Sequence, residues 1–270
     1  MDTIILAAGY GTRLSRDLES SEEYKFLLGI PKCLLPVGSK PLISHWIPHL
    51  DLTCQRIVVV TNQVFYAQLQ LWKDQLEPKY KDKVSILNDL TDGNSIRLGA
   101  VADIQLAVQY LQRKNDILVV AGDTLFYQSF NLRSLVQEFS RLQQTVQEVC
   151  YLVHTDCSEE NVSKHGILEL GDNNRVLRLL EKPKPQDTVS RFQCPCFYIL
   201  SNPALVHLDA FLMSKEDQPI ESKDATGTFI SYLINHTEVY SYYLKGRFDV
   251  GNLKSYLVCH EYFNQKENQK

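Results

Sequence analysis

A chain of 270 residues with 44% hydrophobic content is long enough to bury one large core and short enough that one domain is the default, so disordered and fibrous classes are excluded. Its formal net charge of -4 attracts neither DNA nor an anionic membrane, so no nucleic acid or membrane partner is expected and any phosphate has to be bound locally. The start at Met1-Asp2-Thr3 lacks a signal peptide's basic region and apolar segment, no run reaches transmembrane length, and seven irregularly spaced cysteines read as reduced thiols; a cytoplasmic location is expected.

Along the chain, short β-branched runs alternate with longer amphipathic stretches, the pattern of a parallel sheet flanked by helices. Strands are predicted at Thr3–Leu6, Arg56–Thr61, Val84–Leu87 and Ile117–Ala121, with helices near Gln63–Leu76, Ile96–Leu111 and Leu132–Gln143. The rhythm changes after about residue 148. Val149–His154, Gly166–Leu170 and Arg175–Glu181 read as strands, the last two forming an inserted hairpin closed by Gly171-Asp172-Asn173-Asn174. Helices around Pro203–Met213 and Gly227–Asn235, strands Val239–Leu244 and Phe248–Val250, and a helix from Leu253 complete the series. No linker separates the halves, so two lobes sharing one sheet are expected, with a frayed polar tail at 264–270.

Chemistry-bearing residues collect at strand ends. After the first strand, Leu6-Ala7-Ala8-Gly9-Tyr10-Gly11-Thr12-Arg13-Leu14 lets backbone N–H groups approach an anion at Gly9 and Gly11, while Arg13 adds a charge-assisted phosphate contact. It has neither the Gly-Lys-Ser/Thr of a P-loop nor the third glycine of a dinucleotide fingerprint. Lys32 is framed by Pro31 and Pro36, a stiff setting for a point charge on phosphate, although a surface lysine in a loop is the plainer reading. Asp123 ends a buried strand at the carboxyl edge, where open α/β sheets bind ligands; a helix cap competes with a metal ligand there. By themselves Glu181 and Lys182 are an ordinary charge pair at a strand end, and Asn94 or Ser95 could simply cap the helix predicted from Ile96.

Taken together, Leu-Ala-Ala-Gly-x-Gly-Thr-Arg-Leu at 6–14 and Pro-Lys-x-Leu-Leu-Pro-Val at 31–37 resemble the signature of sugar-nucleotide pyrophosphorylases, the family of glucose-1-phosphate thymidylyltransferase. The resemblance spans Thr3 to about Phe263. It implies one nucleotidyltransferase domain at 1–263, Rossmann-like, with a mixed, mainly parallel sheet, a nucleotide-binding part to about residue 147 and a sugar-binding part from about 148. The implied reaction joins a nucleoside triphosphate, dTTP or UTP, to a hexose 1-phosphate and releases pyrophosphate. Catalytic roles fall to Arg13, Lys32, Asp123 and Lys182, and nucleotide contacts to Leu6, Ala8, Gly9, Gly11, Thr12, Arg13, Asn88 and Gly93. Sugar-phosphate contacts fall to Gly166, Glu181 and Lys182, and Mg²⁺ to Asp123 and Asp249, two hard oxygen ligands completed by substrate phosphates. A homo-oligomer is left open. Three departures stand out: Ser15–Ile30 is longer than the usual spacer and suits a lid or an added contact, Asn88 replaces the usual glutamine, and Cys196 replaces a glycine. Two rivals stay open, a catalytically weak regulatory or binding subunit and a cytidylyltransferase for a non-sugar phosphate. Retention of Arg13, Lys32, Lys182 and both carboxylates counts against the first, and the Glu181-Lys182-Pro183 element against the second.

Overall fold

A computed structural model describes residues 1–128 and 130–269. The chain runs β1 (Asp2–Leu6), α1 (Thr12–Glu19), β2 (Pro36–Val37), β3 (Lys40–Pro41), α2 (Ile47–Asp51), β4 (Ile57–Thr61), α3 (Tyr66–Asp74), α4 (Pro78–Lys81), β5 (Val84–Asn88), α5 (Ala100–Tyr110), β6 (Ile117–Ala121), β7 (Thr124–Phe126) and α6 (Leu132–Leu142). It continues through β8 (Val149–Asp156), β9 (Gly166–Leu170), β10 (Val176–Glu181), β11 (Phe192–Gln193), β12 (Phe197–Leu200), α7 (Val206–Ser214), α8 (Glu221–Asp224), α9 (Thr226–Leu233), β13 (Glu238–Tyr243), β14 (Arg247–Asp249) and α10 (Leu253–Asn268).

Ten strands form one sheet in the order β10-β9-β11-β8-β12-β6-β1-β4-β5, with β13 added alongside β8. The pairs β6–β1, β1–β4, β4–β5 and β13–β8 are parallel, while β12 runs antiparallel to both neighbours. Side chains alternate across the strands and define two cores. Ile5, Val59, Leu118 and Val120 face one layer with Trp46, Leu135 and Phe139; Ile4, Val58, Val60 and Val119 face the other with Ile104, Val108, Phe211 and Phe229. The mixed sheet, the flanking helices and the inserted β9–β10 hairpin agree with the sequence reading.

Three local expectations differ. The helix predicted from Ile96 begins at Ala100: 94–96 is a single 3₁₀ turn, Arg97 is extended, and Gly99 takes φ +93°, a conformation that favours glycine and breaks the helix there. Neither Asn94 nor Ser95 caps it. Of the two roles expected of Ser15–Ile30, a lid or an added contact, the packing fits the contact: α1 buries Leu14 and Leu18, and Leu27 follows them into the core. Asp17 also accepts a hydrogen bond from Leu253 N at 3.1 Å, tying α1 to the start of α10. The polar tail continues as helix to Asn268, and Glu267 accepts from Ser39 N at 2.9 Å and Ser39 Oγ at 3.1 Å, which anchors that end; Lys270 lies outside the described residues. All seven cysteines are unpaired, and among the described residues no helix is long and apolar enough to cross a membrane.

Candidate active site

The carboxyl ends of β1 and β6 are drawn together by Gly122, whose N–H donates to Leu6 O at 2.8 Å. A Cβ at Gly122 would stand 2.9 Å from that same oxygen, so the approach requires the missing side chain. Asn62 Nδ2 holds Ala8 O at 2.8 Å and fixes the loop that follows β1. Gly11, at φ +64°, turns the chain into α1 and carries Arg13 on the first helical turn. The aliphatic part of Lys32 lies over Gly11, within about 3.5 Å of where its Cβ would be, and this aims the ammonium at the strand ends.

These ends enclose a cavity of about 510 Å³. Of the residues singled out from sequence, Leu6, Ala8, Gly9, Arg13, Lys32, Asp123 and Asp249 line it together. The two carboxylates are neighbours because β14 pairs with β7, setting Asp249 opposite Thr124, while Val250 N donates to Asp123 O at 2.9 Å. Each has its own cation. Lys32 Nζ lies 3.2 Å from Asp123 Oδ2, and the Arg247 guanidinium bonds Asp249 while reaching Gln193 Oε1 at 3.1 Å. Both carboxylate side chains remain about a third exposed to the cavity. Cys33 and Cys196 also line the wall, but burial pushes each thiol up to about 12, so neither supplies a thiolate.

A pair of adjacent, partly open carboxylates fits a hard divalent ion that takes its remaining ligands from water and substrate. Among the described residues no group of three or more His, Cys, Asp or Glu could form a fuller cage.

Gly166, Glu181 and Lys182, for which the resemblance implied sugar-phosphate contacts, form a separate cluster off the cavity wall. Glu181 pairs with Gly166 across the β9–β10 ladder, and its Oε2 would sit 3.2 Å from a Cβ at Gly166 and 2.3 Å from one at Gly227. The carboxyl therefore rests on two glycines, and burial raises its pKa while Lys182 opposes the rise. Lys182 follows in a left-handed turn (φ +49°), its N–H donating to His165 O at 3.1 Å and its Nζ 3.8 Å from Glu181 Oε1, largely exposed.

On the opposite side, Asn88 and Gly93 stand outside the cavity. The Asn88 amide donates to Gln63 Oε1 at 2.7 Å and accepts from Leu90 N at 2.9 Å. Gly99, Ala100 and Asp103 line the cavity there, with Asp89, Arg97 and Asp224. Gly11 borders a small neighbouring recess instead, and Thr12 begins α1 behind the loop. Sequence reasoning gave no role to Arg247, Gly99 or Asp103. The small pair Gly99-Ala100 ahead of an apolar run and the acid inside that run were the available signals.

A family model described as nucleotidyl transferase matches residues 2–266. The chain belongs to the nucleotidyl transferase family. Among curated relatives, the bifunctional protein GlmU of Methanococcus maripaludis is 28% identical over 98% of the chain and 55% of the relative. Mannose-1-phosphate guanyltransferase 2 of Candida glabrata is 27% identical over 96% of the chain and 63% of the relative. The chain thus spans little more than half the length of the GlmU proteins it matches. A crystal structure of apo UDP-glucose pyrophosphorylase superposes with a TM-score of 0.76 at 19% identity, covering 99% of both chains, which establishes the shared fold.

Proposed function

We propose that this chain transfers a nucleotidyl group from a nucleoside triphosphate to a sugar 1-phosphate. The observation that carries the reading is the meeting, in one cavity, of the glycine loop, Arg13, and two adjacent carboxylates each beside a cation. An oxygen of the sugar phosphate attacks the α-phosphorus in line; the new P–O bond forms as the α–β bridging P–O bond breaks, and pyrophosphate departs with the electron pair. The attacking oxygen is already ionised, so no side-chain base is needed, and the work is positioning and charge stabilisation.

In this reading Gly9 and Gly11 offer backbone N–H groups to the triphosphate, with Leu6, Ala8 and Thr12 shaping the nucleotide's seat. Arg13 and Lys32 neutralise the reacting phosphates. Glu181 accepts from sugar hydroxyls above Gly166, and Lys182, free to swing at the surface, holds the sugar phosphate. Asp123 and Asp249 would hold Mg²⁺, whose chemistry is charge neutralisation on the transferring phosphate. The base is a pyrimidine, from dTTP or UTP, and the sugar a hexose. Likeness to a UDP-glucose pyrophosphorylase supports the uridine side of this choice, and the guanyltransferase relative marks guanosine as the competitor. The Asn88 and Gly93 contacts to the base need that loop to turn inward.

The test is pyrophosphate release across an array of triphosphates and sugar 1-phosphates with Mg²⁺. Robust release with one pyrimidine triphosphate and a hexose 1-phosphate is the expected result. Release from no pair defeats the reading, and dominant GDP-sugar formation defeats the choice of base.

A further inference from the structure

The end of the cavity away from the carboxylate pair holds an acid that no protein group satisfies. Asp103 sits in the first turn of α5, 5% exposed, on the cavity wall. Its Oδ1 is shut off from solvent and has no hydrogen-bond partner among the described residues. A buried oxygen in that state is destabilising unless a ligand bonds it. The neighbouring acids differ. Asp89 Oδ1 accepts from both Thr91 N and Thr91 Oγ1 at 2.8 Å, and Asp224 is held by Arg97 Nε at 2.9 Å and Ala100 N at 3.4 Å.

Position and charge restrict what the ligand can be. Asp123 follows β6 and Asp89 follows β5, three strand spacings apart, or about 14 Å. Lys32, Arg247 and the carboxylate pair gather at the β6 end, so phosphate belongs there. The charged groups facing Asp103 are Asp89 from the end of β5 and Asp224 from α8, with Arg97 before α5 committed to Asp224. Burial, then these two acids, push its pKa up to about 8, so it is mainly the neutral acid at pH 7. A neutral carboxyl sets an O–H donor beside a carbonyl acceptor, the pattern an amide offers. Two acids around it repel an anion, and among the described residues no group of three His, Cys, Asp or Glu could hold a metal ion, so an uncharged, hydrogen-bonding group suits the neutral carboxyl as occupant.

We propose that Asp103 is a specificity-determining residue that reads the nucleobase, donating to a ring carbonyl and accepting from the N3–H of uracil or thymine. The assignment rests on the nucleotidyl transfer proposed above. It gives the base a partner on the cavity wall that no protein group holds, whereas the Asn88 amide is engaged with Gln63 and Leu90.

The experiment compares the wild-type chain with Asp103→Asn, which keeps a donor and an acceptor at every pH, and Asp103→Leu, which keeps neither. Initial rates with UTP, dTTP, CTP, ATP and GTP at fixed sugar 1-phosphate, between pH 6.5 and 9, are paired with calorimetric UTP binding in the absence of sugar phosphate. Asp103→Leu raises the UTP KM and Kd by about tenfold or more, leaves the KM for sugar 1-phosphate unchanged and flattens the ranking of bases. Asp103→Asn stays within about threefold of wild type at pH 7. Loss of the proton above about pH 8 removes the donor, so the wild-type UTP KM climbs toward pH 9 while that of Asp103→Asn stays flat. Unchanged UTP affinity in Asp103→Leu overturns the assignment, as does a wild-type preference for GTP that Asp103→Asn abolishes, the mark of an ionised carboxylate on guanine. Absence of turnover with every substrate pair defeats the reaction instead, and the calorimetry still decides the role of Asp103.

Discussion

Gly122→Ala is the sharpest probe of how the site is assembled. The new Cβ would lie 2.9 Å from Leu6 O and 3.3 Å from the Cβ of Cys33. The first contact is about half an ångström short of the 3.4 Å at which ordinary contact begins, and its partner is backbone. That oxygen cannot rotate away. The ladder between β1 and β6 is continuous from Asp2–Ile117 to Leu6–Ala121, so the strain has to be relieved at the carboxyl end, where Asp123 follows directly. Forcing a methyl into so tight a site costs about 1–3 kcal/mol, seen as a lower urea midpoint with an unchanged slope. A shift of half an ångström in Asp123 is large against the tolerance of a positioned site, and kcat falls by about tenfold to a hundredfold. Urea denaturation and pyrophosphate release on the same preparation measure both. Wild-type midpoint together with wild-type kcat would refute the close approach as the device that sets Asp123.

Asp123→Asn or Asp249→Asn lowers turnover by about a hundredfold or more while the fold survives, because each removes a charged ligand from the proposed ion; near-normal turnover at saturating Mg²⁺ removes the metal assignment. Lys182→Ala raises the KM for sugar 1-phosphate far more than that for the triphosphate, and equal losses on the two substrates would mean that Lys182 acts elsewhere. His154, 3% exposed and beside Phe192, is pushed by burial from its ordinary 6.5 down to about 4. The unfolded chain takes up that proton first, so stability present above pH 6.5 is lost as pH falls toward 4, by about 2 kcal/mol at pH 5. His154→Phe reduces the difference in unfolding free energy between pH 7 and pH 5 by about that amount; an unaltered difference contradicts it.

The strands were legible because runs such as Ile57–Thr61 and Ile117–Ala121 are β-branched and buried on both faces, a signal that depends little on tertiary context. Asp123 was legible because it follows such a run, Arg13 because it follows the glycine loop after β1, Lys32 because two prolines frame it, and Asp249 only through the resemblance; the fold sets all four on one cavity wall. The start of α5 was not legible, since Ile96 and Leu98 precede Ala100 and Val101 by four and three residues, a spacing that imitates a helix, and only the turn at Gly99 (φ +93°) stops it. That turn carries Gly99 onto the cavity wall while Gly93 stays outside, a difference no residue spacing encodes. Asp103 passed as one acid on an amphipathic helix. Its isolation from any partner comes from α8 and the end of β5, far away in sequence.

The shared strand β8 carries β12 and β11 along one edge and β13 along the other, in an uninterrupted sheet that joins the N-terminal and C-terminal halves. A clamshell motion of those halves would have to shear these ladders, breaking several backbone hydrogen bonds at once. The protein is therefore stiff along the axis on which two-lobed enzymes commonly open and close. Under the proposed transfer, capture and release fall instead to the segment from Asp89 to Gly99 and to the exposed Lys182 turn beyond the cavity wall, whose excursions would set how fast products leave.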